Sequence, residues 1–196
     1  MTVEVECTLE EFYYGCQKTI QFEKTTLMDD GSTPATAKVT KIIQVKPGAF
    51  SGHELVFPAE GHQLPGSRPA NLIIKFKQAA HKVFKRIGHD LVLEHKISLI
   101  DALSAGPIHF KTIEHEQVEI SVDQVITPES FKVIPGKGMP VLNDDPLGPI
   151  KKDYGRGNLI LKFDIQFPAS LNEDKKQQLI GVLDDIEDEH MEEMAF

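Results

Sequence analysis

Residues 71–76 read NLIIKF and residues 158–163 read NLILKF, one hexamer twice with a single conservative exchange. Two more pairs follow in the same order. TLEEFYYG (8–15) resembles SLIDALSAG (98–106) with one inserted residue, and VFPAEGH (56–62) has its counterpart in VIPGKGM (133–139). The offsets between partners are 90, 77 and 87 residues. Three matches in register point to a tandem duplication of a unit of about 85 residues.

Each unit reads as mainly β. VEVEC, KTIQFEKTT, TKIIQVK, HELVFP and NLIIKF are short β-branched runs in the first; DLVLEHKI, PIHFKTI, QVEISV and NLILKF follow in the second. The segments DDGS, KPGAFSG and PGKGMP supply turn chemistry between them. TLEEFYYG and SLIDALSAG instead have helix-start character, with Thr8 or Ser98 as cap, an acid in the first turns and Gly15 or Gly106 as stop. The expected fold is therefore mainly β: two tandem, similar β-sandwich domains over 1–86 and 87–169, each with a short helix. The stretch AHKVFKRIGHDLVLEHKISLIDAL, from residue 80, is the joint between them.

Residues 170–196 differ. Ser170 and Glu173 have the spacing of a capping box, and Leu179, Leu183, Ile186 and His190 or Met191 then recur at helical intervals. That apolar stripe must be buried on its own module or against a second chain. Seven acids between Asp184 and Glu193 keep the opposite face solvated.

Composition removes several classes of function. A formal charge of −9 opposes general nucleic-acid binding, which needs a basic field. No apolar run is long enough to span a membrane, and the acidic, alternating start MTVEVECTLEEF is unlike a secretion signal. Two cysteines, Cys7 and Cys16, without a CxxC, read as free thiols of a reducing, cytosolic or nuclear compartment. The spacings of His81, His89 and His95 fit no helical zinc site, so no metal is expected. PGKGMP lacks the pattern of a phosphate loop and reads as a tight bend. His115, between Glu114 and Glu116, is placed on the surface of a β-ribbon. Without a GxSxG, HExxH or kinase-like set, no catalytic residue and no cofactor is assigned.

One binding surface is legible in the pattern. Val3 and Val5 share a strand face, as do Lys18, Ile20 and Phe22. If these two strands pair across Gly15, they form an apolar strip with a lysine at its end, able to accept an extended peptide. The alternative is that all five side chains fill the sandwich core.

The motifs TLEEFYYGCQK, IQVKPGAFSGHELVFPAEGH, HKVFKRIGHDL, ISLIDALSAG, VIPGKGMP and GRGNLILKFDIQFPASL together resemble the C-terminal substrate-binding region of DnaJ-type co-chaperones, from about Val3 to Leu183. The absence of CxxCxGxG repeats resembles the zinc-free type II branch. The resemblance implies that Val3, Val5, Ile20 and Phe22, with Phe84 alongside, hold apolar segments of unfolded client polypeptides. It implies that Lys18 meets acidic peptide ends, including the acidic tail of a heat-shock chaperone of the seventy-kilodalton class, to which clients are delivered. It further implies a homodimer joined through the C-terminal helix at Leu179, Leu183 and Ile186. Thr19 and Gln21 stand where relatives often carry lysine, Lys82 where proline is usual, and Asn71 and Asn158 where aspartate is usual. The His-Pro-Asp motif of the J domain does not occur, so a fragment of a longer co-chaperone, holding clients without triggering ATP hydrolysis, is the expectation. The competing reading is a DnaJ-like structural adaptor with one fixed partner in a larger assembly, such as a ciliary one.

Overall fold

The computed structural model describes residues 1–29, 31–142 and 155–193, with the side chains of its last helix described through residue 184. The first module runs β1 (Thr2–Cys7), α1 (Leu9–Tyr14), β2 (Cys16–Leu27), β3 (Pro34–Val45), β4 (Glu54–Phe57) and β5 (Leu72–Gln78). Its strands form a three-stranded sheet, in the order β1-β5-β4, and a two-stranded ribbon of β2 and β3. The second module runs β6 (Phe84–Ile87), β7 (Asp90–Ser98), α2 (Leu99–Ser104), β8 (Pro107–Lys111), β9 (Gln117–Ser121), β10 (Phe131–Ile134) and β11 (Leu159–Gln166). It repeats the plan, with a sheet in the order β10-β11-β7-β6 and a ribbon of β8 and β9.

The repeated hexamer forms a strand flanked on both sides in each sheet, which accounts for its repetition. Leu72, Ile74 and Phe76 of β5, and Leu159, Leu161 and Phe163 of β11, are buried in one continuous core spanning both modules. A strand flanked on both sides has little freedom to change side-chain volume. Even the entry hydrogen bond is duplicated: the Met1 amine donates to the Asn71 carbonyl at 3.0 Å, and the Leu91 amide donates to the Asn158 carbonyl at 2.9 Å.

The two short helices start as their sequences direct. Thr8 and Glu11 form a complete capping box on α1, and the Ser98 hydroxyl accepts from the Asp101 amide on α2. Gly15 ends α1 at φ +74°, against Pro47, where a Cβ would lie 2.8 Å from the ring. The second helix stops differently: Ala105, at φ +48°, takes the left-handed position expected of Gly106.

Four further expectations are corrected. β1 does not pair with β2 across Gly15: it pairs parallel with β5, from Thr2↔Ile73 to Cys7↔Gln78, while β2 pairs antiparallel with β3. The intervening α1 carries the chain from one layer to the other. β6 pairs with β7, from Phe84↔Leu93 to Ile87↔Asp90, so the second sheet begins ahead of the division drawn between 86 and 87. His115 lies in the turn between β8 and β9 at φ +62°, not on a strand. The last helix, α3 (Glu173–Glu193), is capped by Asn172, whose side chain accepts from the Lys175 amide at 3.0 Å, rather than by Ser170.

Two arginines tie the modules together. Arg86, on β6, donates to the carbonyls of Ala49 (2.6 Å), Gly48 (3.1 Å) and Gly88 (2.8 Å), and its half-buried guanidinium lies over the Phe12 ring. Arg156 donates to the Tyr13 hydroxyl (2.5 Å) and the Glu114 carboxylate (2.9 Å). Both reach α1 or the loop beside it. His81 completes the joint: its Nδ1 accepts from the amides of Val83 and Phe84, and its Nε2 donates to Glu10 at 3.0 Å.

Candidate functional site

A strand backbone points its polar groups alternately to either side. The amide of Thr25 donates to His62 Nδ1 at 3.0 Å, and its carbonyl accepts from the Gln63 amide at 2.9 Å, on the side away from β3. Gln17, Thr19, Gln21 and Glu23 share that parity. Among the described residues no strand pairs with this edge, so their N–H and C=O groups are open to a further strand. The same reasoning applies to β1. The carbonyls of Met1 and Cys7 accept from amides at the two ends of β5, so Glu4 and Glu6 turn their backbones to the unpaired side.

Lys18 bridges the two edges. Its ammonium donates to the Glu6 carbonyl at 2.5 Å and to the Glu11 carboxylate at 2.7 Å. Burial pushes the Lys18 pKa down, but the hydrogen bond to Glu11 and neighbouring negative groups outweigh it, holding it above the ordinary lysine value. Two unpaired edges therefore stand with Lys18 and α1 joining them at one end and the 60–63 loop on Thr25 at the far end of β2. Lys24 reinforces the far end by donating to the Glu60 carbonyl at 3.2 Å.

The residues expected to form an apolar strip are brought together, at different depths. Val5 and Ile20 are 8% exposed and belong to the core, while Val3 and Phe22 pack against it and stay partly accessible. The core reading thus holds for Val5 and Ile20, whereas Val3 and Phe22 keep accessible surface. Phe22 also lines an open hollow of about 350 Å³ with Gln21, Glu23, Lys38, Val39 and Thr40. Phe84 is 7% exposed, stacked on His81, and belongs to β6 of the second sheet. The contacts missed from sequence were Glu11 on Lys18 and the loop at Thr25. The TLEE spacing announced the cap of α1, but nothing in it said that the same carboxylate would also hold a lysine seven residues on.

The other chemical candidates have structural employment. Burial pushes the thiols of both Cys7 and Cys16 above their ordinary pKa, the opposite of what an attacking thiolate needs. A hollow of about 480 Å³ at the module joint is lined by Phe50, Ser51, Gln78, Arg86, Gly88 and His89, but its guanidinium is committed to three carbonyls. Among the described residues no three His, Cys, Asp or Glu side chains converge as a metal would require, and no helix is long and apolar enough to cross a membrane.

On α3, Leu179, Ile180, Val182 and Leu183 are between 39% and 59% exposed, and every described residue of the helix faces solvent. The expected stripe at Leu179 and Leu183 is therefore uncovered within one chain. The side chain of Ile186 lies outside the described residues.

Residues 1–168 match the DnaJ C terminal domain family. The chain is 35% identical over 172 residues to DnaJ homolog subfamily B member 13 of Homo sapiens, covering 88% of this chain and 52% of that protein. It is 31% identical over 176 residues to DnaJ homolog subfamily B member 5 of Homo sapiens, at 90% and 48% coverage. It is 32% identical over 177 residues to DnaJ protein homolog 1 of Drosophila melanogaster, at 90% and 50% coverage. The chain spans about half the length of these relatives.

Proposed function

Because the chain belongs to the DnaJ C-terminal domain family, we propose that it is a co-chaperone's client-binding region whose slot between β1 and β2 takes extended apolar segments of unfolded proteins. The observation that carries this reading is the unpaired edge of β2 beside the half-buried Val3 and Phe22. Backbone hydrogen bonds from Gln17, Thr19, Gln21 and Glu23 supply sequence-independent affinity, and the apolar rim selects for hydrophobic side chains. No covalent step is needed. The client is bound as a strand and released to a chaperone of the seventy-kilodalton class.

Homodimerisation through α3 gives each assembly two slots. The support is the uncovered row Leu179, Ile180 and Leu183, which a second copy would bury. Two weak sites on one dimer raise the effective concentration of a client already held at one of them.

The test uses the edge rather than the core, since a charge at buried Ile20 would unfold the module. Gln21→Pro removes a donor that points away from β3 and places a ring in the slot, whereas Gln21→Ala leaves the backbone donor intact. The alanine variant should suppress aggregation of a heat-denatured client as the parent does. The proline variant, its fold verified by circular dichroism, should lose that suppression. Equal suppression by all three would refute strand addition at β2.

A further inference from the structure

We propose that the hollow at the module joint binds a mononucleotide, with the phosphate on Arg86 and the base against Phe50. The site does not depend on the client-binding reading, since none of its lining residues belongs to β1 or β2. Phe50, Ser51 and Gln78 come from the first module, and Arg86, Gly88 and His89 from the β6–β7 hairpin of the second. The volume of about 480 Å³ falls within the range of small-molecule sites, roughly 300–1,000 Å³.

The charge of the hollow runs against that of the chain. The sequence has 30 acidic against 21 basic residues, yet no residue lining the hollow is acidic. Asp90, next along the chain, is taken up by the Asn158 amide at 2.6 Å. Arg86 gives one N–H each from Nε, Nη1 and Nη2 to the carbonyls of Gly88, Ala49 and Gly48. A guanidinium has five donors, so one remains on each terminal nitrogen. The carbonyls fix its plane, and a phosphate is an acceptor that suits such a fork. Ser51, Gln78 and His89 bring a hydroxyl, an amide and an imidazole to the same hollow. So many donors suit the three free oxygens of a phosphate monoester better than the two of a carboxylate.

The platform for the base is braced. Phe50 is 45% exposed, and its ring meets His53 at 5.6 Å, which in turn stacks on the buried Phe76 at 6.0 Å. The turn carrying Phe50 is tied down by the Gly52 amide on the Phe76 carbonyl (2.8 Å), and the opposite wall by the Met139 amide on the His89 carbonyl (2.8 Å). Stacking on an aromatic ring tolerates any base, so the site selects a nucleotide without specifying which. A ligand held by both modules favours their joined arrangement by mass action.

The experiment is an amide-resolved NMR titration of the full chain with adenosine monophosphate, adenosine and inorganic phosphate. The nucleotide should shift the amides of Ser51, Gly88 and His89 saturably, with a Kd below about 1 mM, and each half-ligand should bind at least about tenfold more weakly. Ser51→Asp places a carboxylate in the hollow at an exposed position and should weaken the nucleotide at least about tenfold, with the rest of the spectrum unchanged. Phe50→Ala should bring the nucleotide down to the level of inorganic phosphate. No shift at these amides up to about 10 mM nucleotide would overturn the proposal, as would an affinity untouched by Ser51→Asp. Inorganic phosphate binding as tightly as the nucleotide would overturn the base contact, and the mononucleotide assignment with it.

Discussion

Single residues fix where the slot ends. Gly15 turns the chain out of α1 at φ +74° and ψ 155°, a region essentially reserved for glycine, and a Cβ there would meet Pro47 at 2.8 Å and the Val45 carbonyl at 2.9 Å. Gly15→Ala should therefore lower stability by roughly 2–3 kcal/mol, read from the urea midpoint with an unchanged slope. A loss below about 0.5 kcal/mol would mean that the turn relaxes and that Gly15 does not fix the entry of β2. The caps at Thr8 and Ser98 were legible because a cap is a local device, written within four residues. The partner of Lys18 was not, because the Glu11 contact depends on α1 folding back over the start of β2.

At the scale of elements, alternation told which side chains face inward but not which strand lies next to which. Val3 and Val5 were correctly placed on one face and Ile20 and Phe22 on another; their strands were then wrongly paired, since a period of two is the same for hairpin neighbours and for strands in facing layers. The resulting geometry leaves two open edges where a hairpin would have left none between them. The helix α3 was legible by its period, and its capping by Asn172 rather than Ser170 shifts only the start. Its exposed face makes a prediction: Leu179→Asp with Leu183→Asp should convert a concentration-dependent dimer into a monomer in sedimentation velocity, with the β modules unaltered by circular dichroism. A parent chain that sediments as a monomer at every concentration would refute dimerisation through this helix.

For the whole molecule, the duplication was readable because the repeated hexamer is a strand flanked on both sides in each unit, where volume is tightly constrained. The tie between units was not, as it uses backbone carbonyls of Gly48 and Ala49 that carry no sequence signature. Removing their donor exposes the dependence. Arg86→Ala leaves several partly buried carbonyls without a partner and should cost about 2–4 kcal/mol. More tellingly, calorimetry should resolve one unfolding transition into two as the modules uncouple. Arg86→Lys should recover only part of the loss, since an ammonium cannot reproduce the planar fork. A single sharp transition in Arg86→Ala would show that the continuous core alone couples them.

The staple at Thr25 has a last consequence, for what kind of polypeptide can be read at all. From Gln17 to Glu23 the free edge is seven residues of β2, about 23 Å at the rise of an extended chain, with a wall at either end. A strand within a native protein arrives attached to its sheet and cannot lower its edge between two such walls. A loose chain can. On the client-binding reading proposed above, the edge would work as a caliper for foldedness, measuring whether seven consecutive residues are free of their neighbours, a condition that unfolding creates and that folding removes.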